Sequence, residues 1–180
     1  MSFDLPSLTL VIGGAASGKS TYAERLVEAA DRPLTYIATA EAHDEEMRVK
    51  IAAHRARRGA GWQTLEAPRD LAGTLGEVMA DRVVLIDCVT LWLTNLVLDE
   101  ADLIAAENGF LKALDDARMP VVIVTNEVGA GIVPEHSLGR RFRAAQGRLN
   151  QSLAARADSV VTVMAGLPLA LKGPLPELPQ

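Results

Sequence analysis

Between an apolar run at 8–12 and a helical pattern at 21–30, the chain reads Gly13-Gly14-Ala15-Ala16-Ser17-Gly18-Lys19-Ser20: a glycine, four residues, then Gly-Lys-Ser. A strand, a glycine-rich turn and a helix in immediate succession leave few folds open. The strand must lie in a sheet whose next connection is a crossover, and the turn must bend tightly enough to aim successive N–H groups inward. Such a turn binds the oxygens of a di- or triphosphate, helped by the positive end of the helix that follows. Lys19 would lie along the β and γ phosphates, and the Ser20 hydroxyl would be a magnesium ligand. A glycine-rich turn that binds nothing is the bland reading, and it gives no reason for the lysine and the hydroxyl to stand in register.

The pattern continues as that start requires. Asp31-Arg32-Pro33 ends the first helix and residues 34–38 form a second short strand, giving a βαβ unit and hence a parallel sheet. Four apolar residues ending in Asp87 read as a buried parallel strand whose acid emerges near the phosphate loop, where it would orient magnesium or cap the next helix. Helical stretches at 69–80, 90–98, 101–118 and 137–157 alternate with strands at 121–125 and 159–164, and 62–68 is a short extended piece. The expected fold class is α/β, a P-loop nucleotide-binding domain over 1–172 with five or six mostly parallel strands and helices on both faces. A tail at 173–180, with three prolines in eight residues, is expected to be flexible. The polar, two-glycine loop 125–134 follows a strand at the sheet edge where ligands bind.

Composition narrows the function classes. A net charge of −5 argues against general nucleic-acid affinity. The single cysteine, Cys88, excludes an internal disulfide and a thiolate zinc cluster. No apolar run approaches the roughly 18 to 20 residues that span a bilayer, and the start lacks a leader pattern. A cytoplasmic protein that acts without membrane or nucleic acid is therefore expected.

Residues 43–58 read as a helix with Asp44, Glu45 and Glu46 at its start and Arg48, Lys50, Arg55, Arg57 and Arg58 further on, a layout that complements the helix dipole. Lys50, His54 and Arg58, each four apart, would share one face. A histidine on a basic helix is most often just solvated. A neutral imidazole can nonetheless attack an α-phosphorus when cations and magnesium neutralise the departing pyrophosphate. His43 and His136 are rival nucleophiles.

At this level the sequence resembles the bifunctional adenosylcobinamide kinase and adenosylcobinamide-phosphate guanylyltransferase family of cobalamin biosynthesis. The resemblance rests on the phosphate loop, on Tyr36-Ile37-Ala38-Thr39-Ala40, on Asp44-Glu45-Glu46-Met47 with Ile51, His54 and Arg55, and on Trp62-Gln63-Thr64-Leu65-Glu66-Ala67-Pro68. It continues through Asp87-Cys88-Val89-Thr90 with Thr94-Asn95, the block 125–134 beginning Thr125-Asn126-Glu127-Val128-Gly129, and Phe142-Arg143 through Gly147-Arg148-Leu149-Asn150-Gln151. It covers nearly the whole chain up to about Met164 in the expected order. The histidine block together with the Thr-Asn-Glu-Val-Gly block is far more specific than the phosphate loop alone.

The resemblance implies two reactions: phosphorylation of the aminopropanol hydroxyl of adenosylcobinamide by ATP or GTP, then transfer of GMP from GTP onto that phosphate through a guanylylated histidine, matched here by His54. It maps the family's nucleotide contacts onto Gly13, Gly14, Ala15, Ala16, Ser17, Gly18, Lys19 and Ser20, onto Ala38, Thr39 and Ala40, onto Arg55, Ala56, Arg57 and Arg58, and onto Glu66 and Asp87. It also implies a core similar to recombination ATPases and a homotrimer. Two positions depart from relatives. Ala53 precedes His54 where some carry a second histidine, and Ala16 stands where an arginine is common. Aromatic residues are 4% of the chain, too few for a stacked box around a corrin ring within one subunit. A simple P-loop kinase of a small metabolite, using Lys19, Ser20 and Asp87, and a nucleotide-dependent switch of the recombination-ATPase type are the alternatives.

Overall fold

The computed structural model describes residues 5–41, 49, 59, 61–176 and 178. The helix expected over 43–58, and with it His43, Lys50, His54, Arg55, Ala56, Arg57 and Arg58, lies outside the described residues.

Seven strands form one sheet in the order β3-β2-β4-β5-β1-β6-β7. They are β1 (Leu8–Gly13), β2 (Leu34–Ala38), β3 (Trp62–Glu66), β4 (Val83–Asp87), β5 (Val121–Asn126), β6 (Ser159–Met164) and β7 (Leu167–Lys172). Every pairing is parallel except β6 with β7. Five helices accompany them among the described residues: α1 (Lys19–Glu28), α2 (Leu71–Gly76), α3 (Val89–Leu98), α4 (Leu103–Asp116) and α5 (Ser137–Arg156).

The alternation of side chains along each strand divides the core into two layers. Leu10, Ile86 and Ile123 point to one face, where Trp92, Leu93, Phe110, Leu114, Leu149 and Leu153 of α3, α4 and α5 cover them. Val11, Leu85, Val124 and Val161 point to the other, under Tyr22, Ala23, Leu26 and Val27 of α1. The central strands are therefore buried on both sides, which is why they read as unbroken apolar runs rather than as alternating ones. Full burial of one such leucine or isoleucine contributes about 1.5–3 kcal/mol. Trp92 and Phe110 pack ring to ring at 5.4 Å, and the Trp92 Nε1–H donates to the Arg69 carbonyl at 2.7 Å, so the indole is buried without an unsatisfied donor.

Two expectations need correction. The helix anticipated over 69–80 is confined to Leu71–Gly76. Asp70 caps its start, accepting from the Gly73 N–H at 2.8 Å, while Gly73 and Gly76 lower the propensity to continue. The sheet also has a seventh strand, β7, beyond the five or six expected. Ala165 and Gly166, with φ of 52° and 79°, form the tight turn that folds it back on β6. An Ala-Gly pair is a weak turn signal, and Pro168 argued against a strand; β7 accommodates the proline because it lies at the sheet edge. Residues 173–176 carry no regular element, and Leu178 packs against the layer under α1.

Candidate active site

In a parallel sheet all strands deliver their C-terminal ends to the same edge, and the pairing registers fix which residues meet there. Ala38 aligns with Glu66 on one side and Asp87 on the other, Asp87 with Val124, and Gly13 with Asn126 and Val163. Five of the expected positions, Gly13, Ala38, Thr39, Glu66 and Asp87, thus lie along one edge, together with the phosphate loop. β5 intervenes between β1 and β4, so Asp87 stands two strands, roughly 10 Å, from the strand that leads into the loop.

The loop itself is tightly curled. Ala16 and Gly18 both have positive φ, 55° and 94°, and the Ser17 N–H reaches back to the Gly14 carbonyl at 3.4 Å. Gly18 closes the curl and starts α1, with the Tyr22 N–H on its carbonyl at 3.0 Å. A side chain on Gly13 would meet the Ser17 Oγ and the Val163 carbonyl, both at 2.6 Å, so only glycine fits there. Lys19 Nζ donates to the Gly14 carbonyl at 3.1 Å, which lays the ammonium across the mouth of the curl. The Ser17 Oγ is buried without a hydrogen-bond partner. A concavity of main-chain N–H groups, a bridging ammonium and an orphaned hydroxyl suit a phosphate chain. The positive φ at Ala16 is a departure that the glycine spacing does not announce, since alanine is less at ease there than glycine.

Neighbouring elements hold the curl from outside. The Glu127 N–H donates to the Gly13 carbonyl at 3.1 Å, and the Gly166 N–H of the β6–β7 turn donates to the Ser17 carbonyl at 2.8 Å. Sequence reasoning missed this turn as part of the site. The signal available for it was a glycine two residues after an apolar strand.

The Thr39 side chain is occupied as a clamp between strands. Its Oγ1 donates to the Cys88 carbonyl at 2.7 Å and accepts from the Cys88 N–H at 2.9 Å. Asn95 Nδ2 reaches both the Thr39 and Pro68 carbonyls at 2.9 Å. A nucleotide contact at 38–40 would therefore fall to the backbone and to the half-buried Ala38 and Ala40 rather than to the threonine hydroxyl. Across the sheet, Thr125, Gln146 and Asn150 form a buried side-chain network, and Asn150 Nδ2 and Thr90 Oγ1 hold the backbone of Asn126. The Asn126 Oδ1, in register with Gly13, is buried without a partner. Thr90, Asn95, Asn126, Gln146 and Asn150 thus set the shape of the edge. Polar residues within apolar segments were the available sign. His136 stands at the N-cap of α5, exposed, without a side-chain cap bond.

Cys88 follows Asp87 at this edge. Burial, with a smaller contribution from the Asp87 charge, pushes its thiol from 9.0 up to about 12. The folded thiol stays protonated while the unfolded one ionises, so its stabilising contribution is intact below pH 9.0 and fades as the pH rises toward about 12. Iodoacetamide at pH 8 is expected to leave native Cys88 unmodified and to alkylate it once the chain is unfolded in guanidinium. Comparable rates in both states, read by intact mass, would contradict this.

The sequence model of the family described as cobinamide kinase / cobinamide phosphate guanyltransferase matches residues 9–171. The chain belongs to that family. It is 47% identical over 167 residues to the bifunctional adenosylcobalamin biosynthesis protein CobP of Pseudomonas aeruginosa, covering 91% of this chain and 96% of that protein. It is 40% identical over 185 residues to the bifunctional adenosylcobalamin biosynthesis protein CobU of Salmonella typhimurium, with 92% and 99% covered. Among solved structures, the RadB recombinase aligns at a TM-score of 0.57 with 18% identity, covering 97% of this chain and 84% of that one. The type III secretion ATPase EscN of enteropathogenic E. coli aligns at 0.59 with 10% identity, covering 89% and 43%. At those identities the structural neighbours establish the P-loop ATPase fold alone. The cobinamide family supports a two-reaction transferase rather than a single-reaction kinase or a switch.

Proposed function

We propose that the chain phosphorylates the aminopropanol hydroxyl of adenosylcobinamide and then moves GMP from GTP onto the new phosphate, giving adenosylcobinamide-GDP and pyrophosphate. The observation that carries this reading is the family match over 9–171, which spans the phosphate loop and every strand that forms the ligand edge. In the first reaction the curl at Gly13–Ser20 would cradle the donor's phosphates by its main-chain N–H groups. Lys19 would leave the Gly14 carbonyl for the β and γ phosphates. The acceptor hydroxyl oxygen attacks the γ-phosphorus and releases its proton to solvent, the bond to the bridging oxygen breaks, and the nucleoside diphosphate departs with that electron pair.

Ser20, half-buried in the first turn of α1, and Asp87, half-buried at the end of β4, offer a hydroxyl and a carboxylate. These hard oxygens suit Mg²⁺, which takes the rest of its shell from water and substrate phosphates. Bound there, magnesium would neutralise charge on the phosphates. Among the described residues no group of three or more His, Cys, Asp or Glu side chains could hold a metal ion by itself.

In the second reaction an imidazole nitrogen of His54 would attack the α-phosphorus of GTP, and the bond to pyrophosphate breaks. An oxygen of the acceptor phosphate then attacks the guanylyl phosphorus, and the P–N bond breaks with its electron pair returning to the imidazole. The remaining assigned nucleotide contacts are Ala38, Thr39, Ala40, Glu66 and the stretch Arg55, Ala56, Arg57, Arg58. A homotrimer belongs to the same reading. Leu167, Leu169 and Leu171, 61–72% exposed on one side of edge strand β7, give it apolar surface to bury. No helix among the described residues is long and apolar enough to cross a membrane.

The direct test supplies adenosylcobinamide with ATP and GTP and follows products by mass spectrometry. Both the phosphate and the GDP adduct are expected, the first preceding the second. The phosphate alone would reduce the chain to a kinase.

A further inference from the structure

The loop after β5 and the first half of α5 form an open groove of about 430 Å³, lined by Gly129, Val133, Arg140, Arg143, Gly147 and Arg148 among others. Positions 140, 143, 147 and 148 recur at helical spacing, so one face of α5 presents three guanidiniums to the same space. Two arginines elsewhere pair with acids, Arg69 with Glu41 and Asp99 and Arg156 with Asp115, while Arg32 and Arg82 donate to backbone carbonyls and to the Thr35 hydroxyl. Among the described residues, Arg140, Arg143 and Arg148 have no carboxylate partner.

Backbone carbonyls hold two of them instead. Arg140 Nη1 donates to the carbonyls of Pro134, at 3.0 Å, and Glu135, and Arg143 Nη2 donates to the carbonyl of Gly129. Carbonyls fix a guanidinium's position without cancelling its charge. The other Arg143 nitrogen, Nη1, is buried with no hydrogen-bond partner. A buried guanidinium nitrogen left without an acceptor is costly even on a half-buried side chain, and an anionic oxygen in the pocket removes the cost. The pocket also adjoins the phosphate-loop edge, because the loop that walls it starts at Glu127, whose N–H is bonded to the Gly13 carbonyl.

We infer that this arginine pocket holds the phosphate monoester of the phosphorylated acceptor during guanylyl transfer. The inference rests on the two-reaction reading, which creates the need for it. The phosphate loop serves the nucleotide in both reactions, so the dianion made in the first requires separate cations in the second. Planar guanidiniums fork onto phosphate oxygens in a way that a lysine point charge does not.

The test compares wild type with Arg148→Gln and Arg143→Lys. Protein labelling by α-labelled GTP alone reports the donor half, and discharge of the label onto adenosylcobinamide phosphate reports the acceptor half. Both variants are expected to raise the KM for adenosylcobinamide phosphate by about tenfold or more. Arg143→Lys, which keeps the charge at the Gly129 carbonyl but loses the fork, separates recognition from loop support, and circular dichroism checks the fold. An unchanged KM in both folded variants overturns the inference. So does a loss confined to labelling by GTP, which would make the pocket part of the donor site. A wild-type protein that neither takes up the label nor discharges it refutes the two-reaction reading itself, a result distinct from any effect of the variants.

Discussion

Lys19→Met is expected to lower kcat of the kinase step by about 10²–10³-fold, the loss typical when one preorganised charge is removed from a developing anion. The ammonium lies 3.1 Å from the Gly14 carbonyl, across the opening that phosphates would enter, so its movement onto the γ-phosphate is a short swing of a flexible stem. Methionine keeps much of that stem's apolar packing while deleting the charge. Because among the described residues the Nζ bonds the Gly14 carbonyl and no other group, the melting temperature should stay within a few degrees of wild type, of the order expected for under 1 kcal/mol. Steady-state rates with adenosylcobinamide and ATP, alongside a thermal melt, decide the matter. Kinase activity within threefold of wild type would remove Lys19 from the phosphoryl-transfer step.

His54→Ala should divide the two activities. Guanylyl transfer is expected to fall by on the order of 10⁴–10⁶-fold, as when a covalent nucleophile is deleted, and the acid-labile, base-stable adduct formed from α-labelled GTP should vanish. Phosphorylation of adenosylcobinamide by ATP should persist, since nothing in that reaction needs the imidazole. His54 lies outside the described residues, so the assignment rests on the family resemblance of its surrounding block and on the Lys50, His54, Arg58 spacing. Parallel labelling of His43→Ala and His136→Ala discriminates the rivals; an adduct lost in either of those and retained in His54→Ala would reassign the nucleophile.

The phosphate loop, the βαβ start and the central strands were legible because their signals are local and of high contrast. Residues 83–86 and 121–124 are apolar on both faces since both faces are covered, and a glycine at 13 is demanded by a carbonyl 2.6 Å from where a side chain would begin. Strand β7 was not legible, because its outward leucines and Pro168 carry no burial pattern and its turn uses Ala165 rather than asparagine. The scaffold role of Thr39 was hidden for a different reason. The motif places a threonine at a strand end, but only the chain's return 49 positions later brings Cys88 against its hydroxyl. Likewise the arginines of α5 read from sequence as a charged helix, and only the loop that caps them turns three into a pocket.

The curl between β1 and α1 is fastened from the loop after β5 through Glu127 and from the β6–β7 turn through Gly166. Its amides are consequently aimed before any nucleotide arrives, and ordering them costs the binding step little entropy. A seat held that stiffly suits a donor that must be bound, cleaved at one phosphorus, exchanged, and bound again for cleavage at another. It also means that the switch from one reacting phosphorus to the next has to come from whatever approaches the seat.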